Sequence, residues 1–454
     1  MVLNNNLQIN ASTLTNITFG FFPISFILGN LIININLVLF CCLGILHLKS
    51  QILKNKFSTP LKIIFLFFAI IFLSTALSLI KSLYVDGFQN ADFDQLVKSV
   101  FFFRFFLMLI MVYFLAKINI LEFKYFFLSA AFFPLLISLD VIYQYIFGFN
   151  LIGLKSIISH NSSFFGNELI AGGYIQNFSF FSMLFLVPII KNNGYAKSIL
   201  ILISILVLTA GILLSGNRMP LVLFLFGLII IFFINNELRK TILASLILIF
   251  MFFWIATSFD KQIKSKFQSY FSLSKNIIMF MTNASENNKL KKISMDEKIS
   301  LVDDFDLFWV IGDEGQGHIK LFETALDTWR QNILFGNGIK SFRKDCIKFQ
   351  AHIENRMCST HPHNYYLEIL TETGIAGLIT ATILAMMFLI FIIKNRVFLR
   401  GNNIENVILL ASVISLILEM FPIKSTGSIF TTYNAAYITL IGSIILGHQR
   451  KIIT

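Results

Sequence analysis

Charged residues are scarce in this sequence. Asp, Glu, Lys and Arg together make up only 13% of its 454 residues, whereas 56% are hydrophobic. A soluble domain carries about a quarter charged residues, so the composition argues against a soluble protein. Apolar runs of about 17–25 residues recur along the chain, and each is long enough to cross a hydrocarbon core of about 30 Å. We therefore expect an all-α polytopic membrane protein.

Basic residues are also absent from the N-terminal segment. Residues 1–20 contain no Lys or Arg. A cleaved secretory signal begins with basic residues, so the first span is expected to act as an uncleaved signal. The formal net charge is +12, but much of it lies in short loops. Because no basic module interleaved with aromatic residues is visible, we expect no nucleic-acid partner.

The apolar runs predict about 11 transmembrane helices, or about 12 if Pro23 and Gly29 split the first run into two short helices. Lys and Arg collect in alternate loops, which are expected to face the cytoplasm. Lys81, Lys98 and Lys424 are exceptions to this alternation. The predicted spans are 22–46, 61–81, 99–116, 125–147, 172–190, 197–214, 219–234, 241–258, 366–393, 404–422 and 427–446. One predicted outer loop contains Asp86, Asp92 and Asp94. The other predicted outer loops are 148–171, 215–218, 259–362 and 421–427.

One outer segment, residues 259–362, is long enough to fold by itself. It begins with a stretch rich in Lys, Asn and Ser at 275–300. Apolar residues then recur at helical spacing in 318–330, and Gly336 and Gly338 turn the chain. We expect a large outer loop of short helices. The predicted domains are an N-terminal transmembrane bundle (1–258), the outer loop (259–362) and the C-terminal transmembrane helices (363–454).

The stretch STHPHNYYLEILTETGIAGLI, residues 359–379, brings polar groups to the mouth of a predicted span. Pro362 suits the first turn of a helix, because the N–H that proline lacks would be unpaired there. His363 is then expected at the outer N-terminus of that helix, where free N–H groups and the helix dipole favour anions. An imidazole with a pKa of about 6.5 can take a proton from a hydroxyl group. The alternative is a histidine that only caps the helix.

Two arginines lie in or beside predicted spans. Arg218, in LLSGNRMPL, occupies a short turn between two apolar runs, and Arg104, in FFFRFFLML, lies inside or at the edge of a span. A cation at this depth is costly, and such residues usually face a polar cavity. Guanidinium groups suit phosphate oxygens through paired hydrogen bonds. The alternative is that the side chains reach the outer interface and have no further role.

Several polar residues lie within or near the predicted spans. They either belong to a functional site or stabilise the protein by hydrogen bonding between helices. Asp140 and Gln144 are four residues apart and share a helix face, and so do Glu368 and Glu372. Glu419 lies in a late span, and Glu168 lies near an outer helix end.

The four cysteines form two pairs. Cys41 and Cys42 are adjacent within the first apolar run and are expected to pack without further chemistry. Cys346 and Cys358 are twelve residues apart in the outer loop, where the compartment permits disulfides. A zinc site that combines them with His361 and His363 is the alternative, but this spacing matches no standard zinc finger. We therefore favour the disulfide.

Taken together, these motifs resemble the O-antigen ligase/polymerase family. The stretch HPHNYYLEILTETGIAGL resembles the family signature, and SGNRMPL resembles its arginine turn. WRQNILFGNGIKSF is similar to the outer-loop segment, and FPIKSTGSIF to the late turn. SLDVIYQYIFGFNLIG and SSFFGNELIAGGYI also resemble family segments, so that the resemblance covers residues 135–430. The signature positions are His363, Asn364, Leu367, Glu372, Gly374 and Gly377.

The resemblance implies a membrane glycosyltransferase of the bacterial inner membrane, with its active site facing the periplasm. Members transfer a glycan from a polyprenyl-pyrophosphate donor, such as undecaprenyl pyrophosphate, to an acceptor hydroxyl, which in ligases belongs to lipid A–core. Arg218 would grip the donor pyrophosphate, and His363 would bind or deprotonate the acceptor hydroxyl. We expect direct transfer with inversion and with no metal or other cofactor. The implied substrate-binding residues are Arg104, Arg330, Arg343, His361, Asn364, Glu368 and Glu372.

The outer loop departs from the family pattern. Many relatives carry Arg where this chain has His318, and others carry Arg in the segment occupied here by 160–163. We therefore expect that contact with phosphate has moved to Arg330, Arg343 or a lysine, or that it is weaker than in those relatives.

Two other functions stay open at this point. A repeat-unit polymerase uses the same donor and differs only in its acceptor. A lipid or polysaccharide transporter is a further possibility, but transporters often place broken helices and their polar site at the bilayer midplane, whereas this chain collects its polar groups near one face.

Overall fold

The structure is a computed structural model that describes residues 10–49, 57–85, 92–156, 160–190, 194–259, 320–350 and 356–453. The stretch 275–300 and His318 lie outside these residues. Within them the chain forms helices and no strand. The α-helices are α1 (Ala11–Gly20), α2 (Phe22–Leu28), α3 (Asn30–Leu48), α4 (Thr59–Val85), α5 (Phe93–Lys117), α6 (Lys124–Phe147), α7 (Ala171–Ile189), α8 (Gly194–Ser215), α9 (Arg218–Ile234), α10 (Arg239–Phe259), α11 (Phe342–Gln350), α12 (Tyr365–Lys394), α13 (Ile404–Glu419) and α14 (Thr432–Ile453), and residues 320–329 are also helical.

The helices confirm the all-α polytopic membrane architecture. Eight of those in the described part of the chain are long and apolar enough to cross a membrane, and the bent pair α1–α2 brings the number to nine if it counts as one span. The apolar helix α9 is shorter, with 17 residues. The predicted span 366–393 corresponds to α12, Tyr365–Lys394. The sequence predicted about 11 or 12 spans, so fewer helices of the described chain pass this test than were predicted. Most of the predicted spans nevertheless correspond to a helix, with bounds that differ by up to seven residues.

The first apolar run differs from the prediction of a span over 22–46. Gly29 adopts φ +95° and separates α2 from α3, so the split considered at Gly29 occurs. An additional helix, α1, precedes α2, and the two are bent by 48°. Asn10 caps α1, and Pro23 stands in the first turn of α2, where its missing N–H has no helical partner.

The loops separate into two groups at the two ends of the bundle. The predicted outer loops contact one another, and so do the predicted cytoplasmic loops. Because successive spans run in opposite directions, the two groups lie at opposite ends. The outer contacts are Asn161 Nδ2 to Leu214 O at 2.7 Å, Asn217 Nδ2 to Leu169 O at 2.8 Å and Thr426 N to His363 O at 2.9 Å. The contacts at the other end are Lys197 Nζ to Glu237 Oε2 at 3.4 Å and Asn235 Nδ2 to Asn402 Oδ1 at 3.4 Å.

A continuous apolar core joins the early and late helices. The backbone oxygen of Asn177 on α7 accepts hydrogen bonds from Tyr437 Oη on α14 at 2.7 Å and from Ser415 Oγ on α13 at 3.1 Å. The fully buried ring of Phe178 packs on Tyr437 at 5.4 Å between centroids. The last helices are thereby bonded to the middle of the chain, while the division into three domains stays a prediction.

Helix α12 is broken at Gly374, which the sequence did not predict. Gly374 has φ 66° and ψ −167° inside the helix. The backbone groups freed by the break pair with the outer loop instead of with the helix. The pairs are Asn337 N with Thr371 O at 3.0 Å, Gly338 N with Glu372 O at 2.9 Å, Ile375 N with Ile333 O at 2.9 Å and Ala376 N with Leu334 O at 3.1 Å.

The two glycines at this junction permit the close approach. A Cβ on Gly374 would lie 2.3 Å from Leu334 O, and one on Gly336 would lie 2.5 Å from the carbonyl carbon of Glu372. Both glycines have positive φ, a region that other residues rarely adopt. The described part of the outer loop is therefore anchored in the break of a membrane span.

The described outer loop also has a small core of its own. The predicted helix within 318–330 is present at 320–329, and Leu321 and Ala325 are buried against Phe342. Cys346 and Cys358 form a disulfide. Because the two sulfurs are bonded to each other, they are not available as thiolate ligands for the alternative zinc site.

Candidate functional site

A cavity of about 1210 Å³ lies at the outer-loop end of the bundle. Pockets for small ligands measure about 300–1,000 Å³, so this cavity suits a larger substrate. Arg218, Arg343, His361 and Lys424 line it, together with the carboxylates of Glu168 and Glu419. The other lining residues lie within 26–30, 164–177, 216–220, 360–365 and 425–434.

Arg218 is the first residue of α9, and the turn before it is fixed against α7. Asn217 donates from Nδ2 to Leu169 O at 2.8 Å and accepts from Gly172 N at 3.2 Å. Arg218 is half-buried and lies in the cavity wall. A guanidinium group at a helix N-terminus adds its charge to the positive end of the helix dipole, which favours an anion.

Arg343 reaches the same cavity from the second position of α11. Its side chain is exposed and makes no hydrogen bond or ion pair with any residue that the structure describes. The start of α11 is held by Glu372, whose Oε2 accepts a hydrogen bond from Lys340 N at 2.5 Å. The predicted residues Arg218 and Arg343, which are distant in sequence, are thus brought to one cavity.

A single carbonyl oxygen contacts both histidines of the signature. Thr426 O lies 3.2 Å from His361 Nε2 and 3.2 Å from His363 Nδ1. Because a carbonyl only accepts hydrogen bonds, each of these nitrogens carries its N–H. In a neutral ring the other nitrogen is then the proton acceptor. In His361 that acceptor, Nδ1, lies 2.9 Å from Thr360 Oγ1.

The two rings have different positions. His361 lies in the cavity wall, whereas His363, the predicted catalytic residue, is not among the lining residues and has its ring 4.2 Å from that of His361. His363 adopts φ 56°, which few residues other than glycine adopt. Its backbone oxygen accepts a hydrogen bond from Thr426 N at 2.9 Å, which holds this conformation.

Burial lowers the pKa of His361 to about 4, with a further contribution from the neighbouring His363. The ring of His361 is therefore neutral at pH 7 and has a lone pair that can accept a proton. Lowering the pKa of a histidine in this way is the expected result of removing its charged form from water.

Lys424 is a further functional candidate, which none of the sequence motifs indicated as a site residue. Its Nζ lies 2.6 Å from Glu419 Oε2, and Glu419 Oε1 accepts a hydrogen bond from Tyr365 Oη at 2.6 Å. All three residues line the cavity. The signal was present in the sequence, because Lys424 is one of the three exceptions to the charge alternation of the loops.

Other predicted substrate-binding residues lie outside the cavity lining. Arg104 donates to Asn34 Oδ1 at 3.1 Å and to Thr432 Oγ1 at 3.2 Å, and so joins three helices. Arg330 pairs with Asp327 at 2.5 Å and lines a separate, smaller pocket.

Asn364 and the two glutamates of α12 form hydrogen bonds with backbone groups of neighbouring segments. Asn364 caps α12, accepting from Tyr366 N at 3.0 Å and donating to Pro422 O at 2.8 Å. Glu368 is buried and accepts from Ile429 N at 2.7 Å, while Glu372 holds Lys340 as described. These three residues fix the segments that carry the cavity cations.

Comparison with known proteins identifies one family. A family model described as O-antigen ligase matches residues 203–382. The matched region contains Arg218, Arg343, His361 and His363. No curated protein matches the chain.

Proposed function

We propose that this chain, in which residues 203–382 match a family model described as O-antigen ligase, transfers a glycan from a polyprenyl-pyrophosphate donor to an acceptor hydroxyl. In this proposal the cavity faces the periplasm, the protein lies in the bacterial inner membrane, and the acceptor is a sugar of lipid A–core. The observation that carries the proposal is the convergence of Arg218, Arg343 and the neutral His361 on one cavity.

The arginines act on the leaving group. Negative charge develops on the departing pyrophosphate as the bond to the sugar breaks, and fixed cations at those oxygens stabilise it. The turn at Asn217 positions the backbone that carries Arg218, and the start of α11 positions the backbone that carries Arg343. Removing a cation that stabilises the developing charge typically costs about 10²–10³ in rate.

The histidine pair acts on the acceptor. The acceptor oxygen forms the new bond to the anomeric carbon while the bond from that carbon to the phosphate oxygen breaks. The electron pair of the broken bond leaves with polyprenyl pyrophosphate, and the hydroxyl proton passes to a ring nitrogen. Nδ1 of His361 is the acceptor in the cavity wall, and His363 is the second candidate. General-base assistance of this kind contributes about 10²–10⁴ in rate.

The test uses purified protein, a defined polyprenyl-pyrophosphate glycan and a lipid A–core acceptor in detergent. We expect transfer by the wild type and loss of at least about 10²-fold in rate for Arg218→Ala. Glu237→Gln, at the other end of the bundle, is the control and should keep the wild-type rate. Equal rates for Arg218→Ala and wild type, at matched protein levels, would remove Arg218 from the site.

The product linkage tests the stereochemistry. Attack opposite the departing pyrophosphate inverts the configuration at the anomeric carbon, which an NMR spectrum of the product records. A retained configuration would reject direct displacement.

Ligase and polymerase activities differ in the acceptor that is used. Supplying lipid A–core and donor repeat units separately distinguishes them, because a polymerase lengthens the donor glycan when no core is present. A transporter is less well supported, since the lining of the cavity comes from the segments at one end of the bundle.

A further inference from the structure

A second pocket, of about 390 Å³, lies between α4 and the outer loop. It is lined by Leu77, Ser78 and Lys81 of α4 and by residues 330–336 of the loop. None of these residues lines the cavity of the proposed active site. The volume is near the lower end of the range of about 300–1,000 Å³ that small ligands occupy. The proposed function leaves this pocket without a role.

Lys81 is one of the three lysines that break the charge alternation of the loops, and it differs from the other two. Lys98 pairs with Asp94, and Lys424 pairs with Glu419. Lys81 is exposed and makes no hydrogen bond or ion pair with any residue in the described part of the chain. Lysine and arginine are favoured in cytoplasmic loops, so an unpaired lysine at the outer-loop end requires another explanation.

Arg330 brings a second cation to the pocket from the loop side. Its Nη1 pairs with Asp327 Oδ1 at 2.5 Å, and its other guanidinium nitrogens bond to no residue that the structure describes. Asp327 also pairs with Arg356 at 2.7 Å, so one carboxylate is shared by two guanidinium groups. Asp345 interacts with Lys81 but also with two further lysines. Because each carboxylate is shared, positive charge remains at Lys81 and Arg330, and it favours an anion.

The pocket lies at the level where a membrane span ends. Helix α4 is long and apolar enough to cross a membrane. Its last turns present one face that consists of Leu77, Ile80, Lys81 and Tyr84. Ile80 is 60% exposed and Leu334 in the loop is 65% exposed, so apolar surface surrounds the two cations. A tyrosine at the end of a span is typical of the boundary between hydrocarbon and water, where a lysine places its stem in hydrocarbon and its charge among the lipid headgroups.

We propose that the pocket binds an anionic phospholipid, whose phosphate contacts Lys81 and Arg330. Its acyl chains lie against the exposed apolar side chains of Leu77 and Leu334. Basic pockets beside transmembrane helices bind anionic lipid headgroups, and each cation near the membrane surface strengthens the binding. A small pocket suits the single phosphodiester of a phospholipid such as phosphatidylglycerol better than the phosphorylated disaccharide of a larger glycolipid. The site is separate from the cavity, so the inference does not depend on the proposed function.

The bound lipid connects the outer loop to the bundle. Lys81 belongs to α4, whereas Ile333 and Leu334 belong to the loop and accept backbone hydrogen bonds at the break of α12. A headgroup that contacts both sides stabilises the attachment of the loop, by an amount that grows with the concentration of the lipid.

The test uses Trp329 as a reporter. Its Nε1 donates to the backbone oxygen of Ile333, a residue of the pocket lining, at 3.0 Å. Trp254→Phe and Trp309→Phe leave it as the only one of the three tryptophans, and this protein is the parent for all variants. The probes, in nanodiscs of phosphatidylcholine, are phosphatidylglycerol and phosphatidylcholine with brominated acyl chains, which quench the fluorescence of a tryptophan that they contact.

The variants Lys81→Gln and Arg330→Gln each remove one charge and keep a long side chain. Lys98→Gln is the matched control, because Lys98 is an exposed lysine at the same end of the bundle but does not line the pocket. In the parent, brominated phosphatidylglycerol should quench Trp329 saturably, and more strongly than brominated phosphatidylcholine at the same mole fraction. Each substitution should weaken the affinity for phosphatidylglycerol about fivefold, and the two together about 30-fold, while Lys98→Gln leaves it unchanged.

Thermal unfolding provides a second measurement. Phosphatidylglycerol should raise the unfolding temperature of the parent, and much less that of the double variant. In phosphatidylcholine alone all of these proteins should unfold at the same temperature, because exposed charges contribute little to stability.

Three results would overturn the phospholipid assignment. The first is equal quenching by the two brominated lipids, and the second is an unchanged affinity in the double variant. The third is displacement of phosphatidylglycerol by a lower concentration of glycerol phosphate or of lipid A, which would assign the pocket to a free anion or to that glycolipid. Because transfer is not measured, each of these results leaves the proposed function intact.

Discussion

The carboxylate of Glu372 accepts a hydrogen bond from the backbone N–H of Lys340, with 2.5 Å between oxygen and nitrogen. Glu372 lies in the outer part of α12, two residues before the break at Gly374, whereas Lys340 lies in the outer loop, two residues before α11. Glu372 also accepts from the backbone N–H of Phe342. The side chain therefore determines where α11 begins, and with it the position of Arg343.

Glu372→Leu should lower transfer strongly. It leaves buried backbone N–H groups without an acceptor, which costs about 1–3 kcal/mol each, and it frees the start of α11. We expect at least about a tenfold loss of kcat/KM, equivalent to about 1.4 kcal/mol. Glu372→Gln keeps an acceptor oxygen and should retain more activity. Full activity of the leucine variant would show that the position of Arg343 does not depend on this bond.

Gly374→Ala should destabilise the junction between α12 and the loop. The added Cβ would meet Leu334 O and would stand at a positive φ. We expect a loss of about 1–3 kcal/mol in stability, measured as a lower unfolding temperature in detergent. Gly442→Ala in α14 is the control, because a Cβ there has no atom within 4 Å. An unchanged unfolding temperature for Gly374→Ala would contradict the close packing at the break.

The pH dependence of transfer should distinguish the two histidines. Burial lowers the pKa of His361 to about 4 in the free protein. If His361 is the base, kcat/KM therefore decreases only as the pH falls towards that value. The negative charge of a bound pyrophosphate raises the pKa, so the acid limb of kcat should lie at higher pH than that of kcat/KM. An acid limb of kcat/KM at clearly higher pH that disappears in His363→Gln would instead assign the base to His363.

Arg343→Ala and Arg330→Ala should have very different effects, although both arginines lie in the outer loop. Arg343 lines the cavity, and its loss should cost about 10²–10³ in kcat. Arg330 pairs with Asp327 at the surface, with 66% of its side chain exposed, and such pairs contribute about 0–1 kcal/mol to stability. We expect near-normal transfer for Arg330→Ala. Equal losses in the two variants would show that the substrate extends as far as Arg330.

The fold could be predicted largely from apolar run length, because a hydrocarbon core of fixed thickness imposes that length on every span. The sequence also predicted Arg218 as a site residue, because a cation beside a span is costly unless it has a role. Arg343 and His361 were predicted through the family resemblance, and all three residues line the cavity. The break at Gly374 was not predictable in the same way. Its backbone groups pair with residues 333–338, and a periodic apolar pattern contains no information about a partner that distant along the chain.

The positions of Glu368 and Glu372 show a second limit of sequence reasoning. Their spacing correctly placed them on one side of a helix, but the sequence does not reveal whether an acidic residue binds substrate or backbone. Each accepts a backbone hydrogen bond from another segment, Glu368 from Ile429 and Glu372 from Lys340. Thr426 was missed because its contribution is a backbone oxygen, which any residue type can supply.

The broken helix α12 has a consequence for biogenesis. Unpaired backbone groups are not tolerated in hydrocarbon, so this span cannot settle in the bilayer as an independent unit. Residues 333–338 leave the ribosome before α12 does, and Thr75 on α4 already offers an acceptor to Ile339 N, at 3.1 Å. Stable insertion of the late span therefore depends on the outer loop, which precedes it in the chain and supplies the hydrogen-bond partners of the break.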